Sequence, residues 1–474
     1  VTPKKWLIGW DEVSPIEQPI KELLTVDGDL IYTPQGVTKS PLKVQLYQTH
    51  GFKAGFSRYL NERLTTHELD VQIPDIDVSK KEELFDKFSL RDYQREAVEA
   101  ILQNKFGIIQ LPTATGKSRI AITLAMLLPR PALIIVPSID LLTQFSQIFK
   151  EYKIKYGVVG GNLKIWDDNI MLTTTKSVIG TSKILKEYTL KLCKTILVDE
   201  VHHSTGKLYG YLGKAIAPYR IGFSATPYDK TWSDAKKLKL FANFGSIVYS
   251  GKGDERVESN RIQPKVYVYK YKAKSLSTDF FSAVAAHDFI SQRRYGIVRN
   301  DDRNALILKI ADHFRRSGLK VFIIVSWTSH VDELRGLAAR LNIPVYFLTG
   351  NDDGTIRADV YNKMRSNENI TICGTVGGEG VDITSLNVVI LGDVGKSEIK
   401  VIQGIGRNTR KGENKTTAIA IDIQDAIFPK HVKKRNKIYK EENYEIYSLV
   451  EYFKNLKNNK ENTDVQKERN DKVE

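Results

Sequence analysis

The sequence predicts an α/β protein of two tandem parallel-sheet domains, with a small mixed α/β N-terminal domain and a helical C-terminal tail. Three observations carry this. Short, almost wholly apolar runs at Phe106–Leu111, Leu133–Val136, Thr195–Val198 and Arg220–Phe223 read as strands buried on both faces, the signature of a parallel sheet. They alternate with helical stretches such as Arg119–Leu128, as in a sheet covered by helices on both sides. The alternation then restarts near Asn304. Val321–Val325, Val345–Leu348, Ile370–Ile372, Val388–Leu391 and Thr417–Ile421 read as strands, and His330–Leu341, Arg357–Met364 and Lys400–Arg407 as helices.

A chain of 474 residues is too long for one ordinary core. Residues 1–85 read as a small domain whose short apolar pieces are separated by Pro15, Pro19, Gly28, Pro34, Gly36 and Pro41. The first α/β unit is expected over 86–255, a junction over 256–303, the second unit over 304–428 and a basic helical tail over 429–474. The weak periodicity of Asp229–Tyr271 suggests a boundary, and Tyr444, Tyr447, Val450 and Phe453 recur every three residues as on a packed helix.

Composition narrows the class. An apolar fraction of 41% argues against wholesale disorder. No apolar run approaches the ~18 residues needed to span a bilayer, and the opening residues VTPKKWLIGWDEV do not resemble an export signal. Cys193 and Cys373, far apart in strand-like contexts, argue against a disulfide framework or Cys-rich metal site. They fit an intracellular, cytoplasmic compartment. The net charge of +15 suits a polyanionic partner through counterion release, and equally suits a protein that merely has a basic surface. Two segments share that ambiguity. Lys39, Lys43, Lys53 and Arg58 interleave with Tyr47, Phe52, Phe56 and Tyr59, as on a nucleic-acid face or a half-buried hairpin. The cluster Lys430, Lys433, Lys434, Arg435, Lys437 and Lys440 fits phosphate contacts or a solvated helix start.

Two motifs carry chemistry. Leu111–Ser118 reads LPTATGKS between a strand and a helix, the setting of a phosphate-binding loop. Backbone amides at the helix start would cradle phosphate, Lys117 would neutralise the β and γ phosphates, and Ser118 would ligate Mg²⁺. Leu111 stands where the general pattern has glycine, so the loop taken alone also fits an ordinary turn. Ile196–Glu200, ILVDE, delivers two carboxylates at the C-terminal end of a strand, where open α/β sheets bind ligands. Asp199 is the expected metal carboxylate and Glu200 the general base.

With further blocks in order, the chain resembles the superfamily 2 helicases over about residues 88–425. LRDYQ (Leu90–Gln94) resembles the Q motif, PTATGKS motif I, VPS (Val136–Ser138) motif Ia, TTTKS (Thr173–Ser177) motif Ic, DEVH (Asp199–His202) motif II and SAT (Ser224–Thr226) motif III. GTVGGEGVDI (Gly374–Ile383) resembles motif V and QGIGRNTR (Gln403–Arg410) motif VI. The resemblance implies two RecA-like domains and an ATP-driven motor using ATP and Mg²⁺. It implies nucleotide contacts from Arg91, Gln94, Thr113, Ala114, Thr115, Gly116, Lys117, Ser118, Gly380 and Asp382. Gln403, Arg407 and Arg410 would act at the γ-phosphate. His202, Ser224 and Thr226 would couple nucleotide state to the track, while His203 reads as a structural histidine. Pro137, Ser138, Thr174, Ser326 and Thr375 are the implied nucleic-acid contacts, expected opposite the ATP-contacting side of the sheets. Ser138, Thr174, Ser326 and Thr375 suit turns or caps nearly as well.

DEVH in place of DEAD, and Gln403 in place of His, resemble DNA-remodelling members, and the overall layout looks most like the phage UvsW-type branched-DNA helicases. DNA, forked or branched, is the implied partner; a membrane and a structural metal are not expected, and a monomer is compatible with the sequence. An ATP-dependent RNA helicase, the motor subunit of a restriction-type nuclease, and a regulatory protein that binds ATP without hydrolysing it are the alternatives. The last is disfavoured by the presence of Lys117, Asp199, Glu200, Arg407 and Arg410 together.

Overall fold

The computed structural model describes residues 7–456, except 10–16, 28–29, 34–35, 40–42, 46, 49–50, 54–59, 61–72, 114, 181, 229–231, 252–261, 350–351, 353–355, 357–358, 361, 364–365, 367–370, 376–385, 396, 407–408, 410–414 and 416. The chain divides near residue 260 into two compact units.

Short strands open the first unit: β1 (Leu7–Gly9), β2 (Thr25–Asp27), β3 (Leu30–Thr33), β4 (Gly36–Lys39), β5 (Lys43–Gln45), β6 (Tyr47–Gln48) and β7 (Gly51–Lys53). They pair antiparallel as β1–β7–β6, β2–β5 and β3–β4. Ile20, Leu24 and Leu60 lie in the same core as the α/β body that follows. These three described side chains thus pack into the body's core across the boundary expected at 85.

The main sheet comprises β8 (Gly107–Gln110), β9 (Ala132–Val136), β10 (Gly157–Gly160), β11 (Leu163–Ile165), β12 (Ile170–Thr174), β13 (Thr195–Val198), β14 (Tyr219–Ser224) and β15 (Ile247–Ser250). Their order is β11-β10-β12-β9-β13-β14-β8-β15, parallel except at the β10–β11 hairpin. Successive side chains of β9 enter opposite cores: Ala132, Ile134 and Val136 one, Leu133 and Ile135 the other. Both faces are dry, so the strand needs apolar residues at every position, and this made it legible as a run. Within the stretch expected to be a junction from Asp229, the helix Asp234–Phe244 and β15 complete this sheet instead.

The second unit holds β16 (Lys265–Tyr271), β17 (Val321–Val325), β18 (Tyr346–Leu348), β19 (Thr371–Thr375), β20 (Val388–Asp393), β21 (Ile419–Asp425) and β22 (Glu445–Ser448). They form an all-parallel sheet in the order β18-β19-β17-β20-β21-β16-β22. Two expectations are corrected here. The 256–303 junction contains β16, an interior strand, followed by the helices Thr278–Ala285 and Phe289–Arg293. KVYVYKY alternates lysine and tyrosine with valine and so lacks the apolar run that marked the other strands. The tail contains β22, which adds to β16; a helix follows over 449–456. The period of three in Tyr444–Phe453 thus straddles a strand and a helix.

Buried ion pairs fasten the second sheet. Arg303 grips Asp425 at 2.6 and 2.9 Å and donates to the Gly392 carbonyl at 2.7 Å. Arg293 donates to both Asp393 oxygens at 2.6 and 2.7 Å. Such charges are tolerable out of water only because each is paired. Burial alone would raise the Asp393 carboxyl, but Arg293 holds it below the usual carboxylate range. Next to this pair, His330 Nε2 lies 2.9 Å from Asn304 Oδ1. Burial pushes its imidazole down to about 3, with Asp393 opposing and Arg303 and Arg293 assisting.

The sign follows from proton binding. Below the ordinary histidine range near ~6.5 the unfolded chain takes up a proton at His330 that the folded chain refuses. Stability is therefore lost as pH falls from about 6.5 towards about 3. Urea unfolding at pH 7.5 and pH 5 should show about 2 kcal/mol of acid destabilisation that is absent in His330→Gln. An unchanged pH dependence in that variant would contradict the neutral, buried assignment.

Candidate active site

Parallel pairing fixes where the motif residues lie. Gln110 on β8 pairs with Ser224 on β14, Gly222 on β14 with Val198 on β13, Val198 with Ile135 on β9, and Val136 on β9 with Thr174 on β12. The C-terminal ends of these five strands therefore share one edge. In order along it come the phosphate loop, Ser224, Asp199 with Glu200, Pro137 with Ser138, and Thr174. Four strand spacings separate the loop from Thr174, about 19 Å. Of the expected track contacts, Pro137, Ser138 and Thr174 thus lie along the same edge of the first sheet as the phosphate loop, because parallel strands all end on the same side.

At one end of this edge the loop leaves β8 and enters the helix Lys117–Leu127. Gly116 caps that helix at φ +79°, a left-handed conformation that an L side chain adopts only at a cost. A Cβ there would also stand 2.4 Å from Gln94 Nε2. Gln94 is nearly fully buried, and its two ends do separate work. Oε1 accepts from the Arg91 amide at 3.0 Å, and Nε2 donates to the Thr115 carbonyl at 2.8 Å. Tyr93, which the sequence reading passed over, donates its hydroxyl to the same carbonyl at 2.9 Å. LRDYQ therefore pins the loop from below. Its only advance signal was that Tyr93 adjoins Gln94.

Lys117 is buried, and its ammonium donates to the carbonyls of Leu111 at 3.2 Å and Pro112 at 3.3 Å. Those carbonyls are neutral acceptors, so a polyphosphate would compete for the cation strongly. Thr115 Oγ1 donates to the Pro112 carbonyl at 2.7 Å, while Thr113 Oγ1 is buried with no partner among the described residues. An orphaned hydroxyl, a movable ammonium and first-turn amides suit an anion at this loop.

The carboxylates stand two strands away. Glu200 occupies the left-handed region at φ +47°, an uncommon conformation for a residue with a Cβ. Its amide donates to Asp199 Oδ1 at 2.9 Å, and Asp199 itself is anchored through its own amide to the Ile135 carbonyl at 2.9 Å. Ser224 Oγ donates to Glu200 Oε2 at 3.4 Å, accepts the Thr226 amide at 3.2 Å and lies 3.0 Å from His202 Nδ1. Since that hydroxyl proton points at Glu200, the consistent assignment makes His202 Nδ1–H its second donor. Burial drives the His202 imidazole well down, with His203, Lys117 and Lys236 adding to the effect, so the ring is neutral near pH 7. His202 Nε2 and Thr226 Oγ1 are buried without partners among the described residues. The cluster orients the Glu200 carboxylate without neutralising it.

Residues 87–229 match the family described as type III restriction enzyme, res subunit, and residues 302–412 match the helicase conserved C-terminal domain. The chain is a superfamily 2 helicase. The DNA 3'-5' translocase XPB2 of Sulfurisphaera tokodaii is 28% identical to it, covering 71% of this chain and 82% of that relative. The ATP-dependent DNA helicase uvsW of Enterobacteria phage T4 is 25% identical, covering 82% and 79%. The solved structure of S. cerevisiae Dbp5 bound to RNA and ADP BeF3 shares the fold, with a TM-score of 0.54 at 15% identity, covering 77% and 95%. The helicase is therefore an ATP-driven enzyme built on two parallel-sheet domains.

In this helicase several expected nucleic-acid contacts have local structural employment. Ser138 Oγ caps the helix Ile139–Glu151 through the Leu141 amide at 3.3 Å, and Thr174 Oγ1 caps Thr175–Ile179 through the Ser177 amide at 3.2 Å. Ser326 Oγ donates to the Asp393 carbonyl at 2.5 Å, and Thr375 ends β19 opposite Val325. Arg91 lies exposed at the start of Asp92–Asn104, and Ser118 is half-buried in the first turn after Gly116. Gln403 is buried on the helix Glu398–Gly406 of the second unit. Ala114, Gly380, Asp382, Arg407 and Arg410 lie outside the described residues. Among the described residues no cluster of three or more His, Cys, Asp or Glu side chains could hold a metal ion. No described helix is long and apolar enough to cross a membrane.

Gly116→Ala should weaken binding of a fluorescent ATP analogue at least ~10-fold, equivalent to about 1.4 kcal/mol. Adding Gln94→Ala removes the clash but neither the positive φ nor the loss of an anchor, so recovery should be partial. Wild-type affinity in Gly116→Ala would show that the loop does not bind nucleotide in this conformation.

Proposed function

We propose that this helicase is an ATP-dependent DNA helicase or translocase acting on branched DNA, in fork regression, branch migration or related recombination and repair steps. One observation carries the motor part of this reading. The loop Leu111–Ser118, the pair Asp199 and Glu200, and the first unit's track candidates Pro137, Ser138 and Thr174 follow successive strands along one edge, with Glu200, Ser224 and His202 in contact there. DNA as the track is supported by the relatives named as DNA enzymes and by the DEVH sequence at Asp199–His202.

In the proposed reaction Lys117 leaves the carbonyls of Leu111 and Pro112 to meet the β and γ phosphates. Glu200, held towards the reacting edge by Ser224, takes a proton from the water that attacks the γ-phosphorus; the ADP oxygen is the leaving group. Asp199 and Ser118 fit a Mg²⁺ that would take its remaining ligands from phosphate and water, and that ion supplies charge neutralisation. Adenine recognition is proposed for Arg91 and Gln94, and phosphate contacts for Thr113, Ala114, Thr115 and Gly116. From the second unit, Gln403, Arg407 and Arg410 are proposed to act on the γ-phosphate, Gly380 and Asp382 on the nucleotide. Pro137, Ser138, Thr174, Ser326 and Thr375 are proposed to meet the track, mainly through their main-chain groups. Contacts of that kind bind phosphates without reading bases, as a motor crossing any sequence requires.

Steady-state ATP hydrolysis should rise most with Holliday junctions and forks, less with linear duplex and least with RNA. Glu200→Gln should cost roughly 10²–10⁴ in turnover under the best activator while retaining nucleotide binding. RNA as the strongest activator would overturn the DNA assignment. Normal turnover in Glu200→Gln would overturn the general-base assignment.

A further inference from the structure

The six-residue basic cluster of the tail is not one feature. Arg435 turns inward: its guanidinium holds Asp422 at 3.0 Å and donates to the carbonyls of Gly395 at 2.8 Å and Ile423 at 3.2 Å. It is a fastening of the second sheet. Lys433, Lys437 and Lys440 turn outward, spaced i, i+4 and i+7 along one face of the helix Pro429–Glu441. Across an open hollow of about 700 Å³ stands a fourth exposed lysine, Lys270, near the end of β16. The floor between them includes Gln424, paired in register with Lys270, whose amide donates to Asn436 Oδ1 at 2.7 Å.

The charge balance there is one-sided. No carboxylate is among the described residues lining the hollow. The acids beneath it, Asp422 and Asp425, are buried and already held by Arg435 and Arg303. Glu441 reaches Lys437 only at 3.8 Å, a long and exposed contact. The described lining itself therefore carries four lysines and no acid. Lys433 and Lys440 lie about 10 Å apart along the helix axis, close to three phosphate spacings of a single DNA strand at ~3.4 Å each.

We infer that this hollow, bounded by Lys270, Lys433, Lys437 and Lys440, is a second nucleic-acid contact surface that takes sugar–phosphate backbone without reading sequence. The inference rests on the nucleic-acid track proposed above. Nucleic acid is the occupant that the spacing favours, since Lys433 and Lys440 stand about three phosphate steps apart on one helix face, and lysine meets each phosphate as a point charge without reading a base.

The test is the salt dependence of binding to a labelled blunt duplex, read by fluorescence anisotropy between about 50 and 200 mM KCl. Each phosphate contact contributes about 0.9 to the slope of log affinity against log salt. Replacing Lys270, Lys433, Lys437 and Lys440 by alanine should lower the slope by about three to four, so that the salt-induced loss shrinks by about two orders of magnitude. Arginine at the same four positions should restore most of the slope. Alanine at Lys87, Lys150, Lys153 and Lys309, exposed lysines outside the hollow, should not change it. Thermal melts of each variant establish that it is folded. A steep wild-type slope that survives the four alanines would overturn the surface and leave the DNA motor standing. A wild-type protein that hydrolyses ATP but binds no nucleic acid would overturn both.

Discussion

Parallel register in the first sheet is the constraint on which the rest depends. Side chains of β9 and β13 alternate between two dry cores, and β14 sends Tyr219, Ile221 and Phe223 into one of them, so a one-residue slip would be costly in all three strands. The register being fixed, the loop after β8, Ser224 after β14, the carboxylates after β13 and the caps after β9 and β12 reach one edge together. Hydrophobic burial, which knows nothing of phosphate, thereby sets the spacing of the reactive groups. The chemistry occupies what the core leaves at the strand ends.

Along that edge the polar groups are arranged in two tiers. Backbone-facing contacts fix positions: Tyr93 and Gln94 hold the Thr115 carbonyl, and the Glu200 amide fixes Asp199. Contacts of the second kind are longer or incomplete. Lys117 rests on carbonyls at 3.2 and 3.3 Å, Ser224 reaches Glu200 at 3.4 Å, and His202 Nε2 and Thr226 Oγ1 lack described partners. Groups of the first tier are those a fixed scaffold needs. Those of the second can change partner at small cost, as a site that responds to nucleotide requires. A neutral His202 suits this arrangement, since an imidazolium next to Glu200 would form an ion pair and draw the carboxylate away from its task.

Much of this was legible in the sequence where local pattern and burial coincide. Strands such as Ala132–Val136 are apolar throughout because both faces are buried, and the loop and carboxylates adjoin them in sequence. Reading failed where a strand carries its own polar residues. Lys265–Tyr271 keeps its lysines exposed and Tyr267 and Tyr269 half-buried, so an interior strand looked like a junction, and β22 was hidden within a tyrosine repeat. It failed again for contacts between distant segments. Arg303 meets Asp425 and Arg293 meets Asp393, while Lys270 and Lys433 come to border one hollow, only through sheet order, which one sequence does not encode locally. Ser138 and Thr174 illustrate a third limit: a hydroxyl after a strand serves a helix cap and a phosphate contact equally well, and both hydroxyls make cap bonds here.

The central claim is that the loop around Gly116 is the seat of the nucleotide, with Lys117 as the group that changes partner. A crystal structure of the whole chain with Mg²⁺ and a non-hydrolysable ATP analogue tests it most directly. It should show the Lys117 ammonium drawn off the Leu111 and Pro112 carbonyls onto phosphate oxygens, while Gln94 and Tyr93 keep the Thr115 carbonyl. A nucleotide bound elsewhere, with Lys117 still resting on those two carbonyls, would contradict it.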